Sequence, residues 1–174
     1  MTAPHFVDAN VLVYWRDASD PQKQSIAAQL LSRLWREHSG RTSIQVLNEY
    51  FVTVTRKARG RLDAEIAWGD VRTLLYWEPQ PLNGLVLNRG REIQLQYELS
   101  WWDSLIVAAA QLQGCDVIWT EDLQHGAQLG AVLVQNPFLL RTEDAPRPES
   151  AEVARRRPHP SRGRPRRTRA EVAA

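Results

Sequence analysis

Apolar residues along the chain keep two different spacings. Short uninterrupted apolar runs occur at Phe6-Val7, at Val117-Ile118-Trp119 within 116–120, and at Ala131-Val-Leu-Val134. Runs of this length, bounded by turn residues, predict buried strands. Elsewhere the apolar positions recur every three to four residues. Ile26, Leu30, Leu31 and Leu34 follow Asp20-Pro21 and predict an amphipathic helix with its start signal in place. Val11, Leu12, Val13, Tyr14 and Trp15 follow Asp8-Ala-Asn10, so the first strand turns into a helix near Asn10.

Further helices are expected over 44–59, with a polar stripe of Gln45, Asn48, Glu49, Thr53 and Arg56 and a stop at Gly60. Another follows a cap at Asp63 and carries Ile66, Val71, Leu74 and Leu75. Glu78-Pro-Gln-Pro81 interrupts the pattern, a helix occupies 84–99, and Ser100-Trp-Trp-Asp103 opens an apolar helix that stops at Gly114. Buried strands separated by helices predict an α/β fold with a parallel sheet covered on both faces. Ligands of such sheets sit at the carboxyl ends of the strands, near a switch in strand order.

Composition divides the chain in two. Its 174 residues carry a net charge of +2, but residues 145–174 hold nine arginines against three glutamates, a local balance of +6. Residues 1–144 therefore hold 13 basic and 17 acidic groups, a balance of -4. The last segment also contains five of the ten prolines and almost no large aliphatic residue, so a disordered basic tail over 145–174 is expected after a folded domain over 1–144. A tail of this kind keeps a protein soluble or attracts phosphate backbones.

With one cysteine, Cys115, no intramolecular disulfide can form. Four scattered histidines give no zinc-type spacing. No run reaches the ~20 apolar residues of a membrane span, and the opening residues lack the basic and apolar regions of a secretory signal. A cytoplasmic location is the expectation.

The candidate chemistry is carboxylate chemistry. Asp8 ends the first strand, Asp122 follows a later one, Asp103 lies in the first turn of the helix feeding that later strand, and Glu49 sits on a polar helical stripe. Gathered on one rim, like charges would repel by ~4 kcal/mol per close pair at an effective dielectric near 20. Such a cluster must take up protons or hold cations. An all-oxygen ligand set favours Mg²⁺ or Mn²⁺ over zinc and recruits phosphate oxygens. Each acid also has a plainer explanation: Asp8, Asp103 and Asp122 could cap helices, with Ser100 and Asp103 as a capping box, and Glu49 could face solvent.

Five stretches, Phe6-Val-Asp-Ala-Asn-Val-Leu12, Leu47-Asn-Glu49, Leu99-Ser-Trp-Trp-Asp-Ser-Leu-Ile-Val-Ala-Ala-Ala110, Thr120-Glu-Asp-Leu-Gln-His-Gly126 and Val134-Gln-Asn-Pro-Phe138, resemble the PIN-domain ribonucleases. They are most similar to VapC-type toxins of toxin-antitoxin pairs. The resemblance spans about 6–138, in order, and stops before the arginine-rich segment. It implies a three-layer α/β/α sandwich around a parallel sheet. It also implies Mg²⁺-dependent (Mn²⁺ possible) hydrolysis of RNA, a small antitoxin partner and a homodimer. Asp8 and Asp103 become the central metal ligands, Glu49 and Asp122 complete the acidic pocket, and Asn10, Thr120 and Glu121 orient ligands. Between Glu121 and Asp122 as a ligand, Asp122 is preferred.

Guiding charge for RNA is expected at Arg56, Lys57, Arg59 and Arg61, the densest basic run of the body, which would otherwise serve only a helix C-terminus. Trp101 and Trp102 point about 100° apart on a helix, so one faces the core and the other could rim the pocket. His125 reads as a polar loop residue and Cys115 as a small apolar one. Two rivals compete with the nuclease reading. One is a non-catalytic module that binds nucleic acid through its tail. The other is a phosphoaspartyl phosphatase, disfavoured because position 10 is Asn rather than an acid and because Lys23 and Lys57 both precede the later strands.

Overall fold

A computed structural model of the chain describes residues 3–57 and 61–139, with the backbone alone at Lys57. They lie within a compact unit, Met1–Thr142. The segment expected to form a basic tail, 145–174, falls outside the described residues, as do Arg59 and Gly60.

Among the described residues five strands form one sheet: β1 (His5–Val7), β2 (Gly40–Arg41), β3 (Val117–Trp119), β4 (Gln128–Leu129) and β5 (Val132–Gln135), in the order β2-β1-β3-β5-β4. The first three and β5 run parallel, and β4 pairs with β5 antiparallel at the edge. Consecutive residues of a strand point to opposite faces. Phe6 and Val7 are both buried, and so are Ile118 and Trp119, so the central strands are covered on both faces. The α/β class with a central parallel sheet is what the apolar runs predict.

Among the described residues six α-helices join the strands: α1 (Ala9–Arg16), α2 (Pro21–Arg36), α3 (Ile44–Val52), α4 (Ala64–Leu74), α5 (Gly84–Tyr97) and α6 (Trp101–Leu112). Their starts are written in the sequence. Asp20, Ser43, Asp63, Asn83 and Ser100 each accept a backbone N–H of the first turn, a contact that typically contributes ~1 kcal/mol. Every residue of α6 from Ser104 to Ala110 is buried, which explains its nearly unbroken apolar run. Gly90 lets α5 approach it closely, because a Cβ there would stand 2.8 Å from the Leu105 side chain.

Three features depart from the expected pattern. The helix expected over 44–59 ends as an α-helix at Val52 and widens into a π-helical turn, Thr53–Lys57. Four β-branched residues in a row, Val52 to Thr55, disfavour regular helix, and the Thr55 hydroxyl donates back to the Phe51 carbonyl at 2.7 Å. On α4 the buried face is Ala67, Asp70, Val71 and Leu74, while Ile66 is 51% exposed. The helix is turned so that Asp70 faces inward, where Arg16 Nε donates to it at 2.8 Å and the Tyr50 hydroxyl at 2.6 Å. Finally, β2 and β4 are two-residue strands with no periodicity of their own.

Candidate active site

From β1 the chain crosses to β2 on one side, and from β3 it crosses to β5 on the other. The strand order therefore reverses between β1 and β3, where a parallel sheet opens its ligand crevice. Register places Val7 beside Trp119, so Asp8 and Thr120 stand next to each other just past the strand ends. The Asp8 amide closes the junction by donating to the Trp119 carbonyl at 3.0 Å.

One polar network fills this junction. Asp8 is 2% exposed and Thr120 fully buried. Asp8 Oδ1 caps α1 by accepting from the Ala9 amide at 2.7 Å, and its Oδ2 accepts from the Thr120 hydroxyl at 2.7 Å. The Asn10 side-chain nitrogen lies within hydrogen-bond distance of three oxygens: Asp8 Oδ2 at 3.0 Å, Thr120 Oγ1 at 2.9 Å and Asp122 Oδ2 at 2.9 Å. Its orientation is fixed from the other side, where Asn10 Oδ1 accepts from the Glu121 amide at 3.3 Å. Two carboxylate oxygens at these distances from one nitrogen are at most about 6 Å apart. The Asp122 amide in turn donates to Thr120 Oγ1 at 3.1 Å. No helix starts at Asp122, where the described chain bends, so the capping role open to it in the sequence is not taken.

A cavity of about 250 Å³ opens beside this network, lined by Asn10, Val13, Tyr14, Glu49, Thr53 and Glu121 among others. It brings Glu49 of α3 and Glu121 after β3 to the same space. Gln45, one helical turn before Glu49, donates to the Trp102 carbonyl at 3.3 Å, so α3 touches the first turn of α6 next to Asp103. Asp103 and Ser100 bond to each other across the start of α6: the Asp103 amide donates to Ser100 Oγ at 3.1 Å, and Ser100 Oγ donates to Asp103 Oδ2 at 2.7 Å. Among the described residues no three His, Cys, Asp or Glu side chains are close enough together to hold a metal ion.

The neighbours Glu121 and Asp122 have separate surroundings. Asp122 belongs to the Asn10 network, whereas Glu121 Oε2 is ion-paired at 2.6 Å with Lys23 of α2. The Lys23 ammonium also donates to the Tyr14 hydroxyl at 2.9 Å and lies 4.1 Å from the Tyr14 ring centre and 4.9 Å from that of Phe138. Burial works to lower the Lys23 pKa but is outweighed by the bonds to Glu121 and Tyr14, so it stands above the usual lysine value. Burial also pushes the Tyr14 phenol up. Lys23 precedes the later strands in sequence, yet the fold returns it to the rim at the end of β3. Nothing local in the sequence signals this, because the contact spans 98 positions.

The remaining candidates take simpler places. Arg56, in the π-helical turn, and Arg61 are exposed, and the side chain of Lys57 is outside the described residues along with Arg59. Trp101 packs against the core and Trp102 is 36% exposed. His125 Nδ1 accepts from the Asn136 amide at 3.0 Å, holding a loop. Cys115 is buried, which pushes its thiol up to about 12 and leaves it unreactive.

The PIN domain family matches residues 5–127. Among solved structures, one toxin-antitoxin complex from Klebsiella pneumoniae has a chain 18% identical, with a TM-score of 0.56 over 76% of this chain and 97% of that one. The sarcin-ricin loop cleaving toxin VapC20 of Mycobacterium tuberculosis is 20% identical, with a TM-score of 0.52 over 68% of this chain and 91% of its own. These two likenesses establish a shared fold. No curated protein sequence matches the chain.

Proposed function

Because the chain belongs to the PIN domain family, we propose that it is a metal-dependent endoribonuclease and the toxin of a toxin-antitoxin pair. The observation that carries this reading is the pair of carboxylates, Asp8 and Asp122, placed on one amide nitrogen at the point where strand order reverses. Glu49 supports it from the cavity wall, and Asp103 from the adjoining first turn of α6.

The donor set suits a hard divalent ion, Mg²⁺ or Mn²⁺, because it is all oxygen and contains no imidazole or thiolate. Asp8 and Asp122 would hold it, and Glu49 and Asp103 would reach it only by side-chain movement, since among the described residues no three acids stand close enough together to share an ion. When bound, such an ion supplies Lewis acidity toward a phosphoryl oxygen and activates the attacking water.

The chain's own residues do the positioning. Asn10 and Thr120 fix the rotamers of Asp8 and Asp122, so that the acids are aimed before any substrate arrives. Burial of Asp8 and Thr120 keeps bulk water from that end of the junction. Asn10 and Glu121 of this junction also line the cavity, where the RNA phosphate would lie. No side-chain nucleophile is required.

A protein partner fits the surface as well. Tyr76, Leu85 and Leu95 are 83%, 67% and 65% exposed, and both a small antitoxin and a second copy of the chain are occupants of the kind this family implies. Purified protein incubated with transfer, ribosomal and messenger RNAs, in Mg²⁺, in Mn²⁺ and with chelator, tests the activity directly. Cleavage is expected only with a divalent ion, and Asp8→Asn should abolish it while leaving the fold intact. Cleavage in chelator, or undiminished cleavage by Asp8→Asn, contradicts the reading.

A further inference from the structure

A pocket walled by Glu49 and Glu121 repels a polyanion, so phosphate must meet positive charge at its edge. Lys23 stands at that edge. Its two protein partners, Tyr14 and Glu121, both line the cavity. An ammonium has three protons. Two go to these partners, and among the described residues the third meets no acceptor.

The side chain is held in place by more than its charge partner. The ammonium sits over the rings of Tyr14 and Phe138, which pack edge to face with centres 5.0 Å apart. Two aromatic faces attract a cation and keep the long side chain pointing along one line. Its ion pair with Glu121 is part exposed, at 28% and 24% of the two side chains. The pair is thus still reachable from solvent by a competing anion. The carboxylate of Glu121 therefore occupies the place that a phosphate oxygen would take.

We propose that Lys23 is a substrate-binding residue that grips an RNA backbone phosphate at the rim of the cavity, with Glu121 as the internal anion that this phosphate displaces. The proposal rests on the nuclease reading for the identity of the ligand. It makes the two partners of one ion pair act in opposite directions on RNA affinity, which a purely structural pair does not do.

The test is fluorescence anisotropy of the full chain with a labelled single-stranded RNA in chelator, from 50 to 200 mM salt. Lys23→Met should weaken binding about fivefold at 0.1 M salt and flatten the slope of log affinity against log salt by ~0.7, the effect of one lost phosphate contact on a single strand. Lys23→Arg should restore both. Glu121→Gln should tighten binding, since it removes the competing anion. Thermal melts of all three variants accompany the titrations. Equal slopes for wild type and Lys23→Met, or weaker binding by Glu121→Gln, overturn the proposal, as does absence of RNA binding by the wild type. Mg²⁺-dependent cleavage by the wild type is scored separately: its absence removes the nuclease reading, whereas its presence with equal slopes removes Lys23 alone.

Discussion

Asn10 donates to the hydroxyl oxygen of Thr120 across 2.9 Å, although 110 positions separate them. The contact ties the start of α1 to the end of β3. It also sets two acids, Asp8 and Asp122, around a common centre. Thr120 does most of the joining, since its hydroxyl donates to Asp8 and accepts from both Asn10 and the Asp122 amide.

Thr120→Val keeps the shape of the side chain and removes all three bonds. Leaving buried polar groups unsatisfied costs about 1–3 kcal/mol, and disorienting the acids should lower RNA cleavage by roughly 10- to 100-fold. Thr120→Ser should retain both stability and cleavage. Denaturant titration and a cleavage assay on the pair check this, and wild-type cleavage by Thr120→Val would show that the network does not aim the acids.

Behind the cavity, Asp70 accepts from Arg16 and from the Tyr50 hydroxyl, linking α1, α3 and α4. Burial first, and then the bond to Asp70, raise the Tyr50 pKa above its usual 10.0. A raised folded-state pKa stabilises the protein below pH 10 and loses that stabilisation as pH rises further. The melting temperature should therefore fall above pH 10. Tyr50→Phe should lower stability by about 2 kcal/mol at neutral pH and remove that share of the alkaline decline. A decline of the same depth in Tyr50→Phe would exclude Tyr50 as its source.

At the other end of the sheet, the Trp119 indole donates to His5 Nδ1 at 3.0 Å. Burial, and then the nearby Arg33, lower the His5 pKa below 6.5, against opposing contributions from Glu37 and Asp116. A lowered histidine stabilises the fold above pH 6.5 and loses that contribution as pH falls through the folded-state value. Protonation also removes the acceptor that Trp119 uses. Melting temperature should drop below pH 6.5 in wild type and less in His5→Gln, with a change in tryptophan emission over the same range in wild type only. Identical acid limbs in the two proteins would refute the assignment.

Gly40 in β2 faces the Trp77 ring, and an added Cβ would lie well inside van der Waals contact with it. Trp77 is buried and stacks near Trp35, with ring centres 5.1 Å apart, so the ring has little room to retreat. Gly40→Ala should cost about 1–3 kcal/mol. Gly69→Ala, which meets nothing within 4 Å, serves as the control, and equal melting temperatures for the two would contradict the packing argument.

Much of this arrangement is legible before any coordinates are seen. Strands β1, β3 and β5 announce themselves as apolar runs, and helix starts at Asp20, Asp63 and Ser100 carry their caps. The positions of Asp8 and Asp122 follow from these elements, since strand ends are where α/β sheets place chemistry. The two-residue strands β2 and β4 are too short to carry a period, and neither is set by its own residues: each forms because a longer neighbour offers unpaired backbone. The inward turn of α4 depends on Asp70 finding Arg16 and Tyr50, partners 54 and 20 positions away. The sequence prefers Asp122 over Glu121 without a partner to show for it; in the fold Glu121 meets Lys23 and Asp122 meets Asn10. The basic run at 56–61 is conspicuous in the sequence, whereas Lys23, which pairs with Glu121, looks like an ordinary residue of a solvated first turn.

The Asn10 amide has two hydrogens and three oxygens around it. It can never satisfy all three fully at the same moment, so its bonds are shared and easily redistributed. An incoming positive charge can draw one carboxylate aside while the amide turns its full strength on the other two oxygens. In the proposed loading, a cation would trade against bonds that the amide already shares.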